Sequence, residues 1–129
     1  MRLLLDTQIA LWWLTANPRL SKASRELVAT SHCELSVASI WEVAIKHGLG
    51  KLPVPPKRFR DEMAAAGAVV LSVTDAHVLA AAELSAAHPD PFDRLLMGVA
   101  LAEGLQLLTA DMALLRLADR HPRLPIKEA

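Results

Sequence analysis

The sequence has no tyrosine, two phenylalanines and three tryptophans, and among its 129 residues there is one cysteine, Cys33. A single cysteine excludes a disulfide scaffold, so a hydrophobic core must hold the chain together. One domain, residues 1–129, is expected at this length, and folding it buries roughly two-thirds of its surface. So few aromatics leave little with which to stack on nucleobases. No apolar run approaches the ~20 residues that cross a bilayer. The leucines after Arg2 are interrupted by Asp6 and Gln8, which a secretory leader would not tolerate. A cytoplasmic protein without membrane contact is the expectation. Net charge is lacking too: 14 Lys plus Arg balance 14 Asp plus Glu. That neutrality excludes a nucleic-acid partner only if the charges are evenly spread.

They are not. Residues 1–60 carry +5, residues 61–93 carry −6 with no Lys or Arg, and residues 94–129 carry +1. Between Val43 and Arg60 lie Lys46, Lys51, Lys57, Arg58 and Arg60, with no acid among them. Alone, such a stretch reads as solvated surface. Because it directly follows Glu42, it is also placed to meet phosphate if an anionic ligand binds there.

A content of 53% hydrophobic and 22% charged residues marks a folded chain. Short apolar runs predict strands over residues 2–5, 34–37, 68–71 and 105–109, with an edge strand over 124–127. The run 68–71 is the best strand in the middle of the chain, and 34–37 is weaker. Helical spacing predicts helices from Ile9 to Ala16, from Lys22 to Ser31, and from Ser39 until Gly48 and Gly50. Others are expected over 57–66, 75–87, 91–103 and 111–119. Strands alternating with helices predict an α/β fold whose sheet is mainly parallel, with four to five short strands.

Four acids stand out by position. Asp6 follows the first strand, and Glu42 lies in the first turns of the helix after the second. Asp93 lies in the first turn of the helix from Pro91, and Asp111 follows the strand ending at Thr109. Each also has a capping role open to it: Asp6 and Asp111 as N-caps, Ser39 with Glu42 as a capping box, Asp93 at the positive end of a helix. Together they suggest more, because parallel sheets bind ligands beyond the carboxyl ends of their strands. Two carboxylates ~4 Å apart repel by about 4 kcal/mol at an effective dielectric of 20. Four stay ionised together only around a cation, and all-oxygen ligands select Mg²⁺, or Mn²⁺ in its place, over zinc. A hard cation held by carboxylates suits phosphodiester cleavage by an activated water.

The stretches Leu3-Leu4-Leu5-Asp6-Thr7, Ser36-Val37-Ala38-Ser39-Ile40-Trp41-Glu42-Val43-Ala44-Ile45-Lys46, Asp90-Pro91-Phe92-Asp93-Arg94 and Leu108-Thr109-Ala110-Asp111 occur in that order. This set resembles the PIN-domain ribonucleases, most closely the VapC-type toxins of bacterial toxin–antitoxin pairs, from Leu3 to about Ile126. The resemblance implies a three-layer α/β/α fold and a metal-dependent endoribonuclease acting on structured RNA such as tRNA or rRNA. It implies Asp6, Glu42, Asp93 and Asp111 as catalytic and metal-binding residues, with Thr7 and Thr109 at hydroxyl positions beside them. It also implies a homodimer and a cognate antitoxin, through which alone DNA would be met.

Trp12, Trp13 and Trp41 occupy helical apolar positions and are expected in the core, with one of the adjacent pair near a groove that an antitoxin helix could fill. Lys46, four residues after Glu42, either pairs with it or meets RNA phosphate. Arg94 has the same two readings beside Asp93. The five histidines show no ligand spacing and no pairing for histidine-based RNA cleavage. An aspartyl-phosphate phosphatase would want an acid where Gln8 stands, and a phospho-receiver would want a lysine after Thr109. A PIN-like module that binds RNA or protein without cleaving is the remaining alternative, and a lost acid would have favoured it.

Overall fold

β1, Arg2–Leu5, alternates across the sheet: Leu3 and Leu5 enter one apolar cluster and Leu4 the other. The computed structural model describes residues 1–84 and 88–129. After β1 come α1 (Thr7–Leu14), α2 (Lys22–Thr30), β2 (His32–Ser36), α3 (Val37–Gly48), α4 (Pro56–Ala65) and β3 (Val69–Leu71). Then follow α5 (Asp75–Glu83), α6 (Pro91–Glu103), β4 (Gln106–Thr109), α7 (Met112–Arg120) and β5 (Ile126–Glu128). The last three residues of the helix expected over 75–87 lie outside the described residues.

The strands form one sheet in the order β3-β2-β1-β4-β5, and every neighbouring pair is parallel. One face packs against α1, α2 and α4 through Ile9, Val28, Phe59 and Met63. The other packs against α6 and α7 through Leu96, Val99, Leu114 and Leu117. These are the expected three α/β/α layers. α6 and α5 cross so closely at Gly98 that a Cβ there would strike the His77 carbonyl and approach the Ala81 nitrogen to 2.7 Å. Gly104, with φ +67°, ends α6 in the left-handed conformation that glycine adopts without strain. Among the described residues no helix is long and apolar enough to cross a membrane.

The run 68–71 forms the expected strand as β3, which is short, half-exposed and at the edge of the sheet. The weaker run lies between β1 and β3, with Leu35 fully buried. Its Glu34 is buried with one carboxylate oxygen 3.4 Å from Arg2 and 3.1 Å from His32, so the polar residue is partnered. Trp41, expected in the core, is 62% exposed on α3, whereas Trp12 and Trp13 are half-buried against the α1 side of the core.

Candidate functional site

Because all five strands run in parallel, the residues after β1, β2 and β4 emerge at one edge of the sheet. There a cleft of about 220 Å³ is lined by Asp6, Glu42, Asp93 and Asp111, together with Asp90 and Lys46. All four acids singled out from the sequence therefore meet in one place.

The capping roles open to them divide residue by residue. Asp6 occupies the N-cap position of α1 but makes no side-chain cap, so its carboxylate is turned elsewhere. α3 begins two residues earlier than expected: Ser36 caps it by accepting from the Ala38 N–H at 3.1 Å, and no capping box forms between Ser39 and Glu42. Asp90, not Asp93, caps α6, accepting from the N–H groups of Phe92 and Asp93. Asp111 does cap α7, where its Oδ1 accepts from Ala113 at 2.8 Å and Leu114 at 3.1 Å.

Hydroxyls brace the carboxylates. Thr109 donates from Oγ1 to Asp6 Oδ2 at 2.7 Å while accepting from the Asp111 N–H at 3.0 Å, which ties the ends of β1 and β4 together. Thr7 donates to Glu42 Oε1 at 2.7 Å, and Ser39 lies 2.9 Å behind it. Lys46 donates to the other oxygen, Glu42 Oε2, also at 2.7 Å. The pairing read for Lys46 is thus present, and its side chain also lines the cleft.

Burial raises the Asp6 pKa to about 6; the Thr109 hydrogen bond opposes this, and the charges of Glu42 and Asp111 add to it. Asp93 rises to about 7, again chiefly through burial, against a hydrogen bond from His88 and with repulsion from Asp6, Asp90 and Asp111. Burial pulls Lys46 down, but Glu42, Asp90 and Asp6 outweigh it and hold the ammonium above its usual range.

One partner was missed in the sequence. His88 is buried, and its Nε2 lies 2.8 Å from Asp93 Oδ2, so the imidazole donates to the ionised carboxylate. No ligand spacing betrays it. The available signal was its segment, His88-Pro89-Asp90-Pro91, in which Pro89 restricts the backbone just before α6 and Pro91 at its first residue.

Among the described residues no three His, Cys, Asp or Glu side chains form a ready-made metal cage. The donor set still fits a hard cation. Mg²⁺ keeps several waters and needs only one or two carboxylates, and the cleft offers oxygen donors whose mutual repulsion a cation would relieve.

The PIN-domain family model matches residues 3–120. This chain is a VapC-type member of the PIN-domain family. It is 32% identical over 125 residues to Ribonuclease VapC22 of Mycobacterium tuberculosis, with 93% of each chain covered. Solved structures share the fold: VapBC2 from Rickettsia felis bound to a promoter DNA fragment, at TM-score 0.69 and 18% identity, covers 99% of this chain and 98% of its own. DNA-bound VapBC from Salmonella typhimurium gives 0.68 at 20% identity, and VapBC-1 from nontypeable Haemophilus influenzae 0.68 at 17%; each covers 99% of this chain and 98% of that one. The fold is thus common to proteins of low sequence identity.

Proposed function

We propose that residues 1–129 form a single nuclease domain, an Mg²⁺-dependent endoribonuclease with Mn²⁺ as a substitute, acting on structured RNA such as tRNA or rRNA as the toxin of a toxin–antitoxin pair. The observation that carries this reading is the meeting of Asp6, Glu42, Asp93 and Asp111 in one cleft, where burial and neighbouring carboxylates raise the pKa of Asp6 to about 6 and that of Asp93 to about 7.

Asp6, Glu42, Asp93 and Asp111 are the residues that would hold the ion. A bound divalent ion supplies the Lewis acid that polarises the phosphodiester and favours ionisation of the attacking water. The chain's own part is positional. Thr109 fixes Asp6, and His88 fixes Asp93. Glu42, with both oxygens engaged, holds Lys46 at the cleft wall, where its ammonium can meet a non-bridging phosphate oxygen. A carboxylate of the set not engaged by the ion accepts the proton of the attacking water.

An antitoxin protein and self-association into a homodimer belong to the same proposal. The solved relatives are VapBC assemblies, two of them on DNA, which supports an antitoxin partner; DNA would be met through that antitoxin. An RNA substrate places the protein in the cytoplasm.

Purified protein should cut RNA in Mg²⁺ or Mn²⁺, stop in excess chelator and resume on adding the metal. Asp6→Asn and Asp93→Asn should each reduce the rate at least 100-fold. Undiminished cleavage in chelator would overturn the metal mechanism, and metal-dependent cleavage by both variants would overturn the site. Binding of RNA without cleavage would favour a non-catalytic module.

A further inference from the structure

The acidic cleft has a second end that the chemistry above does not use. α1 starts beside Asp6, so Gln8 and Trp12, four residues apart, lie on one face of the helix and both line the cleft. Trp12 is half-buried: part of it packs on the core cluster of Ile9 and Val43, and the rest borders the cleft. Leu52 lines the same space from the segment after α3 and packs on the same core. His47 Nδ1 donates to the Leu52 carbonyl at 2.9 Å, which fixes that wall. The Gln8 side chain is exposed, and among the described residues its amide has no hydrogen-bond partner in the chain.

We infer that Trp12, Leu52 and Gln8 form a nucleobase subsite beside the acids, where one unstacked base lies against the indole and presents its edge to the Gln8 amide. This rests on the ribonuclease reading. Single-stranded RNA is read by stacking on a rigid ring and by hydrogen bonds to the base edge, and an amide offers both a donor and an acceptor for that edge. The cleft, about 220 Å³, is below the ~300–1,000 Å³ of sites that enclose drug-sized ligands, so it suits one nucleotide. An apolar side chain from a protein partner would satisfy Trp12 and Leu52 but leave Gln8 and the carboxylates unused. A nucleotide engages Trp12, Gln8 and Lys46 together: base on the ring, edge on the amide, phosphate toward the ammonium.

The test measures binding of short single-stranded RNA by fluorescence anisotropy in excess chelator, beside the same RNA carrying abasic residues. Trp12→Leu keeps apolar volume but removes the ring. It should raise the Kd for base-bearing RNA about 5- to 100-fold, the range expected for loss of one stacked base, and leave the abasic Kd unchanged. Trp12→Phe should stay close to wild type. Gln8→Glu, which replaces the donor by an acceptor, should change which homopolymer binds best. Equal loss on both RNAs would assign Trp12 to the backbone or to folding and overturn the subsite. No loss on either would also overturn it and leave the shelf to a protein partner. The ribonuclease reading fails separately, if wild-type protein cuts no RNA in Mn²⁺; base-dependent binding in chelator would then still stand.

Discussion

Asp93 depends on His88 for its orientation. Their hydrogen bond is 2.8 Å long and buried, and it leaves one carboxylate oxygen committed to the imidazole. Groups that orient metal-binding side chains are commonly worth 10–100-fold in metal affinity or activity. His88→Ala should therefore weaken Mn²⁺ binding by roughly that factor in calorimetry, whereas His88→Gln, which keeps a donor near the same point, should recover most of it. Equal loss in both variants would mean that His88 only fills space. The two raised carboxyls also set a pH dependence. An unfolded Asp titrates near ~4, so between about pH 4 and 7 the folded state binds more protons than the unfolded one, and stability falls as pH rises. The melting temperature of the metal-free protein should thus drop by several degrees from pH 5 to pH 8. Asp6→Asn should flatten the drop, and Mg²⁺ should raise the melting temperature more at pH 8 than at pH 5.

At the scale of elements, Asp111 has two roles that substitution can separate. As the N-cap of α7 it satisfies two backbone N–H groups, and as a cleft acid it contributes charge. Asp111→Ala should lower stability by about 1 kcal/mol through loss of the cap. Asp111→Asn should keep the melting temperature yet lose metal-dependent cleavage; full activity in that variant would make Asp111 a cap alone. How much of the site could be read in advance follows from such local chemistry. β1 and α6 match their expected bounds because Asp6 ends one apolar run and Asp90-Pro91 begins the other with a cap and a fixed φ. α3 starts before its expected bound because Ser36, not Ser39, caps it, and only the tertiary partner Thr7 shows that Glu42 turns inward. Trp41 defeated the periodic pattern: with Val37, Ile45 and Leu49 it recurs every four residues along an outer face of α3, a spacing that looks like core. His88 was hidden because its partner is set by a bend, not by a repeat.

At the scale of the whole molecule, the charge asymmetry is softened by pairing. The basic stretch ends at Arg60, and the next two residues are Asp61 and Glu62. Lys57 pairs with Asp61 at 2.6 Å and Arg58 with Glu62 at 2.8 Å, one turn apart on α4. Lys46 is paired with Glu42, so among the described residues Lys51 alone of the five basics has no ion pair. If RNA passes this side of the cleft, Lys51→Ala should weaken RNA binding and make the salt dependence shallower by about one charge. Lys57→Ala with Arg58→Ala should change it less, since those charges are already compensated. Anisotropy titrations across salt concentrations would show whether that order holds.

The strand order carries a consequence in time. β1 can pair with β2 early, but its other neighbour, β4, arrives about a hundred residues later, and the Thr109 bridge to Asp6 arrives with it. Contacts so distant along the chain form late in folding. A chain that has left the ribosome only as far as residue 108 therefore carries Asp6 without Thr109 and Asp111, and its set of four acids is incomplete. Only after residue 111 has emerged can the four acids meet, and β5 then completes the sheet.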